Sequence, residues 1–118
     1  MDERRQIPRW TIDREADIMI AGHPGAVRGR VRDINGKGLQ LSVPAAFPAE
    51  QPLHLRLIID KVLDLEIEAE SPWQARSAGE HRYGLRFTRI HDLDKERIYE
   101  YVRTTFPDQI RRQWWAQG

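Results

Sequence analysis

The sequence predicts a mainly β protein: a six-stranded antiparallel barrel that is closed by a C-terminal α-helix. Three observations support this prediction. Six runs alternate apolar and polar residues, which is the period of a half-buried strand. Turn signals rich in Gly, Pro, Asn and Asp separate these runs, as they do in small barrels. After the sixth run, the apolar period changes to that of a helix.

The six strands are predicted at roughly 10–20, 27–31, 39–43, 53–59, 63–75 and 82–87. The fifth has the clearest alternation, with apolar residues on one face and acidic residues on the other. Pro72 lies on its outward phase, which indicates an edge position or a bulge. Asn35–Gly36 lies between the second and third strands and is a strong hairpin signal, because both residues tolerate positive φ. Asp60–Lys61 is predicted to be a tight turn between the fourth and fifth strands.

The C-terminal helix is predicted from its apolar face, which consists of Leu93, Ile98, Tyr101, Val102 and Thr105. Asp94 is expected to be its N-cap, with Leu93 packed on Ile98. Pro107 is expected to end or kink the helix.

The sequence is interpreted as one domain with two short ends. Residues 1–9 are expected to be a flexible arm, and residues 10–106 the barrel with its helix. Residues 107–118 form a tail that could be a short second helix. The tail carries Trp114 and Trp115, and two interpretations stay open: the rings pack back on the barrel, or they form a surface for a partner.

Composition restricts the class of protein. Hydrophobic content is 40% and charged content 31%, as in soluble globular proteins. No apolar run approaches the length of a membrane span, and the charged start does not look like a signal peptide, so we expect a cytoplasmic protein without membrane insertion. The net charge of +1 gives no general attraction to nucleic acid, so neither DNA nor RNA is an expected partner.

No pattern in the sequence points to catalysis. The chain has no Cys, which excludes disulfides and thiolate nucleophiles. Its four His residues lack the spacing of metal ligands, and no Ser has a His at a suggestive distance. Gly36-Lys37 lacks the remaining residues of a phosphate-binding P-loop. We therefore expect a binding protein rather than an enzyme, with no cofactor and no metal.

The basic residues are strongly biased toward arginine. Lys and Arg total 19, of which three are Lys, so 16 are Arg. Guanidinium groups suit planar recognition of phosphate and stacking on bases. Arg4, Arg5 and Arg9 lie just before the first strand, where they are either a solvated terminus or part of a local anion site.

The second candidate cluster surrounds the predicted hairpin turn. Asp33 can accept hydrogen bonds from the N1–H and N2–H₂ edge of a guanine, and Asn35 can both donate and accept. Gly38 would let a flat ligand approach the backbone. The alternative is that Asp33 only braces the turn through an Asx-type bond.

A basic stripe on the second strand consists of Arg28, Arg30 and Arg32. It is expected to be a solvated face that pairs with the acidic stripe at 64–70 on another strand. Arg32 adjoins Asp33 and is the best candidate in this stripe for contact with a ligand.

Two motifs carry a family resemblance. Arg5-x-x-x-Arg9 followed by Asp33-x-Asn35-x-x-Gly38 resembles the signature of the PilZ domain, which has an RxxxR motif and then an Asp- or Asn-x-Ser-x-x-Gly motif. Asn35 stands where a serine is usual. Tyr83-Gly84-Leu85-Arg86-Phe87 looks like the family's strand before its C-terminal helix. The resemblance spans about residues 3–106.

The resemblance implies a PilZ-type barrel that binds cyclic di-GMP, a bacterial second messenger with two guanines and two phosphates. The residues implied to bind it are Arg4, Arg5, Arg9, Asp33, Asn35 and Gly38. The arginines would contact phosphate and guanine O6 and N7, and would stack on base faces. Asp33 would hold a guanine edge, Asn35 would add a hydrogen bond, and the glycine would permit close approach.

The implied protein is a receptor or adaptor that signals by ordering its arm and changing a surface for a downstream protein partner. One alternative is a PilZ-like interaction adaptor with weak or no cyclic di-GMP binding. Another is an oligonucleotide-binding barrel, which the near-neutral charge disfavours. The sequence leaves open which process is regulated, whether one ligand or a stacked pair binds, and whether the protein is a monomer or a dimer.

Overall fold

The structure is a computed structural model that describes residues 9–47 and 52–111. Its elements are β1 (Trp10–Ile20), β2 (Ala26–Ile34), β3 (Gly38–Val43), β4 (Leu53–Ile59), β5 (Leu63–Ser77), β6 (Glu80–Arg89) and α1 (Asp92–Thr105). A further helical turn covers residues 107–111. The predicted arm, apart from Arg9, and the Trp114–Trp115 pair lie outside the described residues. No helix in the described part of the chain is long and apolar enough to cross a membrane.

The six strands form a closed antiparallel barrel in the order β1-β2-β3-β6-β5-β4, with β4 paired to β1. This confirms the predicted fold class. β3 pairs with β6 although β4 and β5 lie between them in the sequence. The β4–β5 hairpin closes the other side of the barrel, between β6 and β1. β2 and β3 therefore lie across the barrel from β5 and β4.

The inward face of each strand forms the core. One fully buried residue from each strand illustrates this: Ile18, Val31, Leu41, Leu57, Leu65 and Leu85. These residues lie on the apolar phase of each alternation, since successive side chains of a strand point to opposite faces. Ile98 and Val102 of α1 join the same cluster, so the helix covers one part of the barrel core.

The turns follow the chemistry of their residues. Asp60 and Lys61 both have positive φ in the predicted tight turn between β4 and β5. The β5–β6 turn has positive φ at Ala78 and Gly79. Pro72 lies at an irregularity in the pairing of β5 with β6, as predicted for a proline on the outward phase of a strand.

The start of α1 differs from the prediction. Its N-cap is His91, which makes no side-chain capping bond, and its first residue is Asp92. Asp94 is buried inside the first turn, and its N–H donates to the His91 carbonyl at 2.9 Å. This register turns Leu93 outward, so that it is 62% exposed. The predicted Asp94 cap and the predicted packing of Leu93 on Ile98 are therefore wrong, because the helix begins earlier than an Asp94 cap implies.

Tyr101 joins α1 to the turn between β4 and β5. Its buried ring contacts Phe106 edge to face, and its hydroxyl donates to Asp60 Oδ2 at 2.9 Å. Burial and then this hydrogen bond raise the pKa of Tyr101 above its usual value. The phenolate form is therefore disfavoured in the folded protein.

Replacing Tyr101 with Phe is expected to lower the free energy of unfolding at pH 7 by about 1 kcal/mol, because one hydrogen bond to a carboxylate is lost. Since the folded-state pKa is raised, the contribution of Tyr101 is complete below the unfolded pKa of about 10 and declines as the pH rises above it. Urea unfolding at pH 7 and at about pH 11 measures both effects. Tyr99→Phe, at an exposed position of the same helix, is the control. An equal alkaline loss of stability in wild type and Tyr101→Phe would contradict this assignment.

Candidate functional site

The hairpin turn between β2 and β3 is built around Asn35. Its N–H donates to the Gly38 carbonyl at 2.9 Å. Its side-chain Oδ1 accepts the N–H of Lys37 at 2.8 Å and that of Gly38 at 3.0 Å. The turn itself is confirmed, but the expected positive φ at Asn35 and Gly36 is absent. The reason is that three residues, 35–37, separate the two strands and the loop is closed by an Asx-type side-chain bond instead of by a two-residue turn.

Asn35 and Gly38 both have structural roles in this turn. Asn35 is only 5% exposed, and its side-chain oxygen is used by the backbone of the loop. A Cβ atom added to Gly38 would lie 2.2 Å from the Leu85 carbonyl oxygen of β6. The close approach of β6 therefore requires glycine at this position. Whether either residue also contacts a ligand stays a prediction.

Asp33 lies on the outer face of β2, next to the start of β1. Its Oδ1 accepts a hydrogen bond from Arg9 Nη1 at 3.0 Å, and its Oδ2 accepts one from Gln40 Nε2 at 3.4 Å. The structure thus brings together Arg9 and Asp33, one residue from each motif. The other two candidate arginines, Arg4 and Arg5, lie outside the described residues.

Asp33 is one end of a row of residues that crosses four strands. The register pairs Asp33 with Gln40, Gln40 with Gly84, and Gly84 with Trp73. The Trp73 indole lies directly over Gly84. A Cβ atom added to Gly84 would lie only 2.3 Å from the indole Nε1, so no larger residue fits beneath the ring. Trp73 nevertheless remains 41% exposed. The row spans three strand spacings, about 14 Å, from a carboxylate to an exposed aromatic ring.

Sequence reasoning missed Gln40 and Gly84 as members of this site. It also continued the apolar, inward phase of the fifth strand to Trp73, which is wrong, because the pairing of β5 with β6 shifts between Glu70 and Trp73 and leaves the indole exposed on the outer face. A signal was present at Gly84, since a glycine inside a strand marks a place where another group approaches closely. An exposed indole suits stacking of a nucleobase, because every base has a π-face. The row is an open surface rather than a cavity. The cavity of about 440 Å³ that His54, Arg56 and Arg89 help to line lies elsewhere.

Arg32 lies beside this row because of a bulge. The register of β2 with β3 shifts between Val31 and Asp33, which leaves Arg32 without an opposite residue. Its Nε donates to Ser42 Oγ at 3.1 Å, and its Nη2 donates to Glu80 Oε2 at 3.1 Å. Arg32 thus links β2 to β3 and to the start of β6.

The basic stripe of β2 is paired differently from the prediction. Arg28 donates to Asp17 at 2.8 Å, and Arg30 donates to Asp13 at 2.9 Å. The hydrogen bond from Arg30 is the main reason that the pKa of Asp13 is lowered. The predicted pairing with the acidic stripe at 64–70 is wrong, because β1 lies next to β2 whereas β5 lies across the barrel.

The family model of the PilZ domain matches residues 3–104, which is most of the chain. The chain belongs to the PilZ domain family. This confirms the resemblance that the two motifs indicated. In this PilZ domain, Arg9 of the first motif and Asp33 of the second are hydrogen-bonded to each other. No curated protein matches the sequence.

Two solved structures resemble this PilZ domain. One is the inhibitor of motility of Bacillus subtilis, MotI/DgrA, with a TM-score of 0.65 and 20% identity over 94% of this chain and 51% of that chain. The other is the Borreliella burgdorferi PlzA protein in complex with c-di-GMP, with a TM-score of 0.54 and 17% identity over 82% of this chain and 40% of that chain. Because the sequence identities are only 20% and 17%, the similarity shows a shared fold and no more. The chain spans about half, or less, of the length of these proteins.

Proposed function

We propose that this protein is a cyclic di-GMP receptor, a binding module without catalytic activity of its own. The observation that carries the proposal is the pair of Arg9 and Asp33 at 3.0 Å, which joins the two PilZ motifs at one end of the outer row. The PlzA structure, which contains c-di-GMP on a similar fold, supports it. The remaining binding groups proposed here are Arg4 and Arg5 of the arm, Gln40, and Trp73.

The chemistry of the row fits one half of such a ligand. The Asp33 carboxylate can accept the N1–H and N2–H₂ groups of guanine, and Trp73 can stack on a base. Arg9 is half-exposed, so its ion pair with Asp33 is worth less than about 1 kcal/mol. Arg9 can therefore exchange Asp33 for a phosphate at little cost. Gln40 holds the second oxygen of Asp33 and keeps the carboxylate in place during that exchange.

The same residues suggest how binding is passed to a partner. Trp10 follows Arg9 directly, is buried, and contacts Tyr99 of α1 edge to face at 6.1 Å between ring centroids. In our proposal, the ligand draws the arm over the row, and the change at Arg9 reaches α1 through Trp10. The exposed side chains of Leu93 and Tyr99 on α1 then belong to the surface that a downstream protein reads. That MotI is an inhibitor of motility is compatible with an adaptor of this kind.

Isothermal titration calorimetry with cyclic di-GMP tests the receptor proposal. We expect a micromolar or tighter Kd for the wild type and a loss of at least about 100-fold in Arg5→Ala/Arg9→Ala, because charge-assisted contacts to phosphate and guanine are removed. Arg56→Ala is the matched control. Arg56 is also half-exposed and paired with an aspartate, Asp64 at 2.7 Å, but it lies on β4, across the barrel from β3.

Absence of heat and of any thermal shift in the wild type at saturating ligand would overturn the receptor proposal. Equal losses of affinity in the double variant and in Arg56→Ala would show that the arm arginines have no specific role in binding. The molar ratio from the same titration decides between one bound ligand and a stacked pair.

A second candidate function is an interaction adaptor that binds cyclic di-GMP weakly or not at all. The observation that favours it is Asn35, whose oxygen is used by the turn at the position where the family motif has serine. It predicts a protein partner that is captured without nucleotide and is lost in Trp114→Ala/Trp115→Ala. Point variants are preferable to removal of 107–118, because Ile110 is buried against the barrel.

A further inference from the structure

Arg82 is an arginine on the outer face whose charge is not used by the fold. It lies on β6, opposite Ser42 of β3 on one side and Ala75 of β5 on the other. Its Nε is buried and has no hydrogen-bond partner, although the residue as a whole is partly exposed. Within residues 9–47 and 52–111, no carboxylate lies within 4.0 Å of its guanidinium. A buried donor without a partner is costly to a protein, which suggests that it serves a ligand.

The surrounding charges leave Arg82 uncompensated. Asp13 is hydrogen-bonded to Arg30 at 2.9 Å, and Glu80 to Arg32 at 3.1 Å. These two carboxylates are thus already matched by two guanidinium groups, and Arg82 adds a third positive charge. Arg86, two residues beyond Gly84 on the same face, is paired with Glu70. The local excess of positive charge therefore lies at Arg82.

The position of Arg82 relates it to the proposed ligand row. Ser42 is two residues from Gln40 on β3, and Arg82 is two residues from Gly84 on β6, so both pairs share the outer face. Two residues along a strand correspond to about 7 Å. A ligand lying along the row from Asp33 to Trp73 would thus have Arg82 about 7 Å to one side, along the strand direction.

We propose that Arg82, with Arg32 beside it, is an anion subsite that binds a phosphate group of the ligand. This proposal rests on the proposed function and extends the site beyond the two motifs. Arg82 contributes the uncompensated charge. Arg32 forms the side of the subsite toward β2, and the buried Ser42 hydroxyl holds it there by accepting a hydrogen bond from Arg32 Nε at 3.1 Å.

The first test compares the affinity of three proteins for cyclic di-GMP by calorimetry. Arg82→Gln is expected to raise the Kd by about ten- to a hundred-fold, because one charge-assisted contact to phosphate is lost. Arg89→Gln is the matched control: it removes the same charge from the same strand, at an exposed position without an ion pair in the described part of the chain. An unchanged Kd in Arg82→Gln, beside tight binding by wild type, would overturn the subsite and leave the receptor proposal intact.

The second test reports on Arg82 directly and does not depend on the affinity of a variant. The buried Nε–H of Arg82 should give a resolved resonance in a ¹⁵N-correlated NMR spectrum, assigned by its loss in Arg82→Gln. Titration of wild type with cyclic di-GMP should shift this resonance, and an unmoved signal at saturation would contradict the proposal.

If wild type does not bind cyclic di-GMP, the receptor proposal fails, and inorganic pyrophosphate becomes the probe at constant ionic strength. A shift that saturates with pyrophosphate would then support an anion subsite, and no shift would overturn it.

Discussion

Asp33→Asn is expected to weaken binding of cyclic di-GMP by about 100-fold or more and to change the free energy of unfolding by less than about 1 kcal/mol. The carboxylate has two acceptor oxygens, held by Arg9 and Gln40 in the unliganded protein. Asn replaces one acceptor with an NH₂ donor, which would face the N–H groups of the guanine edge. A factor of 100 in Kd corresponds to about 2.7 kcal/mol, which is reasonable for a buried polar group left unpaired.

The small effect on stability follows from the exposure of the pair. Arg9 is half-exposed, and surface ion pairs contribute little to folding. Asp64→Asn is the control, since Asp64 is also paired with an arginine but lies on β5, across the barrel from β2. Calorimetry and urea unfolding on both variants separate the two effects. Binding by Asp33→Asn with the affinity of wild type would exclude the carboxylate as the guanine acceptor.

The fold is well predicted because most of its information is local. Each strand has its own alternation, and the inward residues of that alternation are the buried ones, as in the run from Leu53 to Ile59. The start of α1 is less predictable. Asp94 is a good N-cap by residue type, yet the helix begins at Asp92. The reason is that the His91 carbonyl already accepts hydrogen bonds from the N–H groups of Asp94 and Lys95.

The candidate site is less predictable than the fold because it depends on register. Asp33, Gly84 and Trp73 are separated in the chain and lie in one row only because β2 pairs with β3, β3 with β6 and β6 with β5. The bulge at Arg32 could likewise not be predicted from the alternation of apolar and polar residues in β2, since it arises from the pairing of β2 with β3. The PilZ motifs indicated Arg9 and Asp33, but no local pattern indicated Gln40.

Asn35 marks the turn as predicted, but the turn has a different conformation. The Asn-Gly pair predicted a turn through the backbone freedom of both residues. The structure instead uses the Asn35 side chain as an acceptor for two backbone N–H groups. The same sequence signal thus marks the turn correctly without specifying its conformation.

Gly38→Ala is expected to lower the free energy of unfolding by about 2–4 kcal/mol, because the added methyl group meets backbone rather than a mobile side chain. It would lie 2.2 Å from the Leu85 carbonyl oxygen and 3.3 Å from Arg86 Cα. β6 cannot easily move away to relieve this clash, because it is held on both sides of the contact. Leu85 is buried in the core, and the Phe87 N–H donates to the Lys37 carbonyl at 2.8 Å.

Gly36→Ala is the matched control in the same turn. A Cβ added at Gly36 would have no heavy atom within 4 Å, and its φ is not positive. We expect this variant to be neutral or more stable by up to about 1 kcal/mol, because alanine restricts the unfolded chain. Equal stabilities of the two variants in urea would show that β3 and β6 can separate without cost. If they cannot, Gly38 fixes the spacing of β3 and β6, and therefore the positions of Gln40 and Gly84 between the carboxylate and the indole.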